Sequence, residues 1–254
     1  MYDINSILIV TILFVAILLA YEISFRLGRR YQRNTDHEVK SQTSVIQAGI
    51  LGLLALLLGF TFNMALQRFD NRSHAVIKEA NTIGTALLRT KLLPEPYDSE
   101  TYELLRQYID KRIEVSRVDL TKMDERHLIN VETELIQEKI WDITIKAVEM
   151  DPRPATTGHF ISALNAVIDA RGERNAIQQR YVPEVILFLL FVVFIIGGAL
   201  MGYTSGLGLK RAYIPTVMFT LLIVLVVFII IDLDRPKRGI IQVKQDSLIE
   251  LKTY

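Results

Sequence analysis

Cysteine is absent from all 254 residues of the chain. That excludes disulfides, thiolate catalysis, iron–sulfur clusters and cysteine zinc sites. It suits the cytosol and the periplasm equally. A charge surplus is also missing: 29 lysines and arginines stand against 28 aspartates and glutamates, a formal net of +1. No basic face for nucleic acid is implied. The strings that carry enzyme chemistry are absent too. The chain holds no phosphate loop, HExxH helix, glycine-rich nucleotide turn or activated nucleophile, so the neighbouring carboxylates Asp232 and Asp234 do not by themselves make an acid–base site. The chain reads as a non-enzyme without a cofactor. Nor does the first apolar run look like a cleaved leader. It has no basic n-region, its arginines come afterwards, and no small-x-small cleavage site stands near Ala20.

Half of the residues are hydrophobic, and they concentrate in four runs: Ile4–Tyr21, Val45–Leu66, Pro183–Tyr203 and Tyr213–Ile231. A span needs about 20 mostly apolar residues, and in lipid each helix must satisfy its own backbone. The fold class expected is therefore an all-α membrane protein with four transmembrane helices, two plus two. Residues 1–66 hold the first pair and a basic connecting loop, 67–182 a helical extramembrane domain, 183–231 the second pair, and 232–254 a charged tail.

The middle region lacks strand alternation. Asp98 or Ser99 is placed to cap a helix after Pro94 and Pro96, and Leu105, Tyr108, Ile109 and Ile113 mark one face. A second helix is expected over about Lys122–Met150, ended by Asp151-Pro152-Arg153-Pro154. A third carries Phe160, Leu164, Val167, Ile168 and Ile177 and runs toward the third span, whose first turn Pro183 suits. Between Arg68 and Leu93 the only breaker is Gly84, so the second span continues as a long helix beyond the membrane.

Basic flanks favour the cytoplasm. Arg26, Arg29, Arg30, Arg33 and Lys40 lie between the first two spans, and Lys210 and Arg211 between the last two. This places the two short loops in the cytoplasm and the middle domain and termini in the periplasm. Arg68, Arg72, Arg180, Arg235, Lys237 and Arg238 flank the other side, but long domains cross largely regardless of charge.

Two glycine-rich patterns stand out. Ala48, Gly52, Ala55, Gly59 and Asn63 fall within roughly an 80° arc at 100° per residue. Such a stripe is either a helix-packing face or the lining of a pore with the Asn63 amide near its mouth. Gly198, Gly202 and Gly206 recur every fourth residue, the pattern of a close helix crossing. Charged clusters follow the spans: Asp70, Arg72 and Glu79 after the second, Asp232, Asp234 and Arg235 after the fourth. They are candidates to shape the field at a pore mouth. Asp70 and His74 stand one turn apart, but spacing fixes no third ligand and no metal is assigned.

Several segments together resemble a known family. They are Leu51-Gly52-Leu53-Leu54-Ala55-Leu56-Leu57-Leu58-Gly59-Phe60, Arg68-Phe69-Asp70-Asn71-Arg72, Glu79-Ala80-Asn81-Thr82-Ile83-Gly84-Thr85, Ile161-Ser162-Ala163-Leu164-Asn165 and the Asp232–Gly239 tail. The set, over about residues 45–252, resembles the bacterial bestrophin-like membrane proteins. Bestrophins are pentameric anion channels with two spans, a large helical region and two more spans, and a helix early in the chain lines their pore with an apolar neck. The resemblance implies a homo-oligomer, pentameric by likeness, in the bacterial inner membrane, with the lipid bilayer and inorganic ions as partners and the second span around the pore. This chain departs from bestrophins in lacking an acidic calcium clasp, in having no aromatic neck beyond Phe60 and Phe62, and in its basic first loop. No bestrophin functional residue is carried over. The rival expectation is a membrane-anchored scaffold or sensor whose helical domain binds a partner or ligand.

Overall fold

The computed structural model describes residues 5–32, 36–119, 121–208, 211, 213–235 and 239–253. Among them are eight α-helices and no strand: α1 Ser6–Tyr31, α2 His37–Arg89, α3 Tyr97–Arg117, α4 Met123–Met150, α5 His159–Gln178, α6 Glu184–Leu207, α7 Tyr213–Asp234 and α8 Asp246–Glu250. Four of them, α1, α2, α6 and α7, are long and apolar enough to cross a membrane. The all-α, four-span fold class thus holds. The chain divides into two compact units. The first contains α1, the N-terminal part of α2, α6 and α7. The second contains the rest of α2 with α3, α4, α5 and the tail.

In the first unit α1 begins where Asn5 Oδ1 accepts the Ile7 amide at 2.9 Å, a side-chain N-cap. Its inner face is Val10, Leu13, Ile17, Tyr21, Phe25 and Gly28, spaced three and four apart as one side of a helix requires. α1 runs on to Tyr31, well past the apolar run, because nothing from Glu22 to Tyr31 interrupts a helix except Gly28. Arg26, Arg29 and Arg30 are therefore helical, not loop. Likewise α2 starts at His37. Arg33, Lys210, Lys237 and Arg238 lie outside the described residues.

α2 is 53 residues long, about 80 Å at about 1.5 Å per residue, against a hydrocarbon layer of about 30 Å. It stops at a short 3₁₀ turn, Thr90–Leu92, ahead of Pro94 and Pro96. α3 then starts at Tyr97, with Pro96 in the N-cap position. Asp98 falls in the first turn, where a carboxylate suits the helix dipole, and Ser99 donates back to the Pro96 carbonyl at 3.0 Å. Neither is the cap. α5 ends at Gln178 and does not run into the third span. Pro183 disfavours helix at residue 182 and itself becomes the N-cap of α6.

The core of the second unit joins Val76, Ala80, Ile83 and Leu87 of α2 to Leu105, Tyr108, Ile109 and Ile113 of α3. Ile140 and Ala147 of α4 and Phe160, Leu164 and Val167 of α5 close around them. The tail is part of this core: Leu248 and Leu251 are buried in it. Arg106 holds the Lys252 carbonyl at 3.2 Å, and Lys252 pairs with Asp110. Burying a leucine contributes roughly 1.5–3 kcal/mol, so the tail is fixed by packing as much as by charge.

Candidate functional site

On the first part of α2, two faces differ sharply. Leu54, Thr61 and Ala65 are buried, with Leu54 in the bundle core beside Phe194 and Ile223. Roughly opposite, Ala48, Gly52, Ala55, Gly59 and Asn63 are all exposed. A Cβ built at Gly52 or Gly59 would meet nothing within 4 Å. Large apolar side chains beside this stripe, Leu53, Leu56 and Phe60, are exposed as well. Gly52 and Gly59 thus face open space, and the whole stripe is exposed.

The other glycines do the opposite. Gly198, Gly202 and Gly206 of α6 lie against α1. A Cβ at Gly202 would fall 2.1 Å from the Tyr21 carbonyl oxygen, one at Gly206 2.3 Å from that of Phe25, and one at Gly28 2.3 Å from that of Tyr203. At Gly198 the nearest atom is a side-chain methyl, Ile17 Cγ2 at 2.7 Å. α1 and α6 thus meet backbone to backbone. Lipid tails are as apolar as leucine, so close van der Waals packing is what holds such helices together. At the same end of the bundle, the Arg211 guanidinium lies 4.1 Å from the centroid of the Phe25 ring and 3.4 Å from Glu22.

At the end of α7, Asp232, Asp234 and Arg235 are buried. Asp232 accepts the amides of Ile240 at 3.1 Å and Ile241 at 2.8 Å. Gly239 is required by this grip, because a Cβ there would lie 2.4 Å from Asp232 Oδ1. Asp234 accepts the Val182 amide at 2.8 Å, just before Pro183 opens α6. Arg235 donates to Ser6 Oγ at 2.9 Å, the first residue of α1. These side chains act as ties on backbone and helix ends. Asp232→Ala is expected to release two partly exposed amides, each lost hydrogen bond costing roughly 0.5–1.5 kcal/mol. Faster hydrogen exchange at Ile240 and Ile241 with helices unchanged would show it. Unaltered exchange there would refute the tie.

In the second unit, Asp70 is exposed, while Arg72 is buried and donates to the Arg180 carbonyl at 2.7 Å. Glu79 is fully enclosed. Arg112 Nε meets its Oε1 at 2.6 Å, Arg174 meets its Oε2, and Arg174 also donates to Gln245 Oε1 at 2.7 Å. Burial pushes the Glu79 carboxyl up, but the two guanidiniums outweigh it and hold the group below the ordinary carboxylate value. The six charged candidates thus divide. Asp232, Asp234 and Arg235 belong to the first unit, Asp70, Arg72 and Glu79 to the second, and of the six only Asp70 is exposed.

Sequence patterning singles out neither Arg112, Arg174 nor Gln245, and marks Tyr108 only as part of the apolar face of α3. One signal was available: Arg112 interrupts the apolar face of α3 one turn after Tyr108. An open groove of about 630 Å³ runs along α2 and α5, lined by His74, Lys78, Asn81, Thr85, Arg89 and Ser162. Lys78 pairs across it with Glu173. No group of three or more His, Asp or Glu placed to hold a metal ion occurs among the described residues.

A sequence profile of the bestrophin-like domain matches residues 12–248. The fold matches the crystal structure of a bacterial bestrophin homologue from Klebsiella pneumoniae, solved as a point mutant. The TM-score is 0.65 over 96% of this chain and 99% of that one, at 13% sequence identity. No curated protein matches the sequence.

Proposed function

The chain belongs to the bestrophin-like family, and from that premise we propose that it is a homo-oligomeric ion channel whose pore is lined by the small-residue face of α2. The observation that carries this reading is the open stripe Ala48, Gly52, Ala55, Gly59 and Asn63 on a helix whose other side is anchored in the bundle. Small side chains leave room on the axis of a ring for a passing ion. The amide of Asn63 supplies a polar contact near one mouth, and Leu56 or Phe60 flanking the stripe supplies the apolar constriction. By family likeness the ring is a pentamer in the bacterial inner membrane.

Orientation follows from the basic end of the bundle. Arg26, Arg29 and Arg30 cluster there, and Arg211 reaches Glu22 at that same end, so this end faces the cytoplasm. The helical unit and the tail are then periplasmic. Of the charged cluster, Asp70 is the member exposed to shape the field at the mouth, while the buried members hold the frame.

The absence of cysteine allows a clean test. Single substitutions Ala48→Cys, Gly52→Cys, Ala55→Cys, Gly59→Cys and Asn63→Cys are made in protein reconstituted in liposomes. A charged thiol reagent is expected to alter ion flux at stripe positions and to leave Leu54→Cys, on the buried face, unaffected. Flux that ignores modification at every stripe position would sink the pore assignment. A folded oligomer with no flux under any ion or voltage would favour the anchored scaffold.

A further inference from the structure

The centre around Glu79 holds more positive charge than its carboxylate balances. Arg112 and Arg174 are each 1% exposed, and both bear on Glu79. Arg171, one turn before Arg174 on α5, sends its charge outward to Glu134 at 2.8 Å and Gln137 at 3.1 Å. Among the described residues of this unit, Glu79 is the only buried carboxylate. Two enclosed guanidiniums therefore share one negative charge.

The same centre has hydrogen-bond donors to spare. Arg112 Nη1, Arg174 Nε and the Tyr108 hydroxyl are enclosed and make no hydrogen bond to the described residues. They belong together. Tyr108 and Arg112 stand one turn apart on the inner face of α3, where i and i+4 side chains are neighbours, and Arg174 reaches the same carboxylate from α5. The large majority of buried polar side-chain atoms in native proteins have a hydrogen-bond partner, and an uncompensated buried charge is costlier still. A water molecule would meet the donors and leave the charge. A small anion meets both.

We propose that Arg112, Arg174 and Tyr108 bind a small inorganic monoanion of the chloride class in the core of the helical unit, as a structural ligand beside Glu79. The site is independent of whether the protein conducts ions. Burial pushes the Tyr108 phenol up to about 12, against the opposing pull of Arg112, so its hydroxyl remains a donor at neutral pH. The ligand also bears on the tail, because Gln245 is held by the same Arg174.

Thermal unfolding of the full chain in detergent tests this, with chloride exchanged for gluconate at constant ionic strength. A ligand that binds only the folded state raises the midpoint with the logarithm of its concentration above the dissociation constant. The wild type is expected to show that rise. Tyr108→Phe keeps the ring in the core and removes one donor, so the chloride concentration at which the rise sets in increases about fivefold, as loss of one hydrogen bond implies. A bromide-soaked crystal is expected to show an anomalous peak between Arg112 and Tyr108. Equal midpoints in chloride and gluconate would overturn the proposal. So would a chloride effect that Tyr108→Phe leaves unmoved, or a bromide peak elsewhere without one here.

Discussion

Gly202→Leu is expected to abolish the folded protein, and Gly202→Ala to damage it severely. The atom that a Cβ would strike is the Tyr21 carbonyl oxygen, 2.1 Å away, with the Tyr21 carbonyl carbon and Cα both at 2.8 Å. None of these is the far end of a flexible side chain, so the contact is relieved only by parting α1 from α6. Ordinary overpacking costs about 1–3 kcal/mol, and separating two helices forfeits in addition the dispersion contacts along their length. The expected order of damage for alanine follows the same distances. Gly202, Gly206 and Gly28 face backbone and suffer most. Gly198, which meets the Ile17 methyl first, suffers less. Gly52→Ala, with nothing within 4 Å, leaves the fold intact and acts only if another subunit or an ion occupies that face. Yield of monodisperse protein and the thermal midpoint read all five. A Gly202→Leu protein as stable as wild type would show that the crossing is not built as described.

The four spans were legible because hydropathy reports directly on the solvent each segment meets. Hydropathy ends where lipid ends, however, and a helix does not. α1 continues through Arg26, Arg29 and Arg30 to Tyr31 because the backbone there meets no breaker. The length of α2 was readable for that same reason: nothing but Gly84 interrupts Arg68–Leu93. The join after α5 was not, since the choice between a continuous helix and a break rests on Pro183 together with Asp234, which takes the Val182 amide from 52 residues away. The same limit governs the charged clusters. Neighbours along the chain group Glu79 with Asp70 and Arg72. What fixes its environment is Arg112, 33 residues on, and Arg174, 95 residues on. Nothing in the spacing of those residues announces the meeting. The two glycine patterns looked alike in the sequence and differ completely in what surrounds them. The α6 set is pressed against a neighbouring backbone, whereas the α2 stripe is open.

Glu79→Gln is expected to destabilise the helical unit by about 3–5 kcal/mol, the cost of breaking a buried ion pair by removing one partner. The side chain keeps its shape, so packing is not the cause. What changes is that two enclosed guanidiniums lose their carboxylate. Against a typical total of about 5–15 kcal/mol for a domain, that loss is a large fraction. The chain has one tryptophan, Trp141 on α4, so denaturant unfolding followed by its fluorescence reads this unit selectively. A control separates charge from structure. With Glu79→Leu, Arg112→Met and Arg174→Met combined, no charge is left unpaired, and stability is expected near or above that of the wild type. Acid gives an independent reading. The folded carboxyl of Glu79 lies below its ordinary value of 4.5, so its contribution is fully present above that value and is lost as pH falls through the folded value. Wild-type stability should therefore decline more steeply below about pH 4.5 than that of the triple variant. If the two decline together, or if Glu79→Gln unfolds at the wild-type midpoint, the carboxylate is not what balances Arg112 and Arg174, and the frame of the helical unit rests on its apolar core alone.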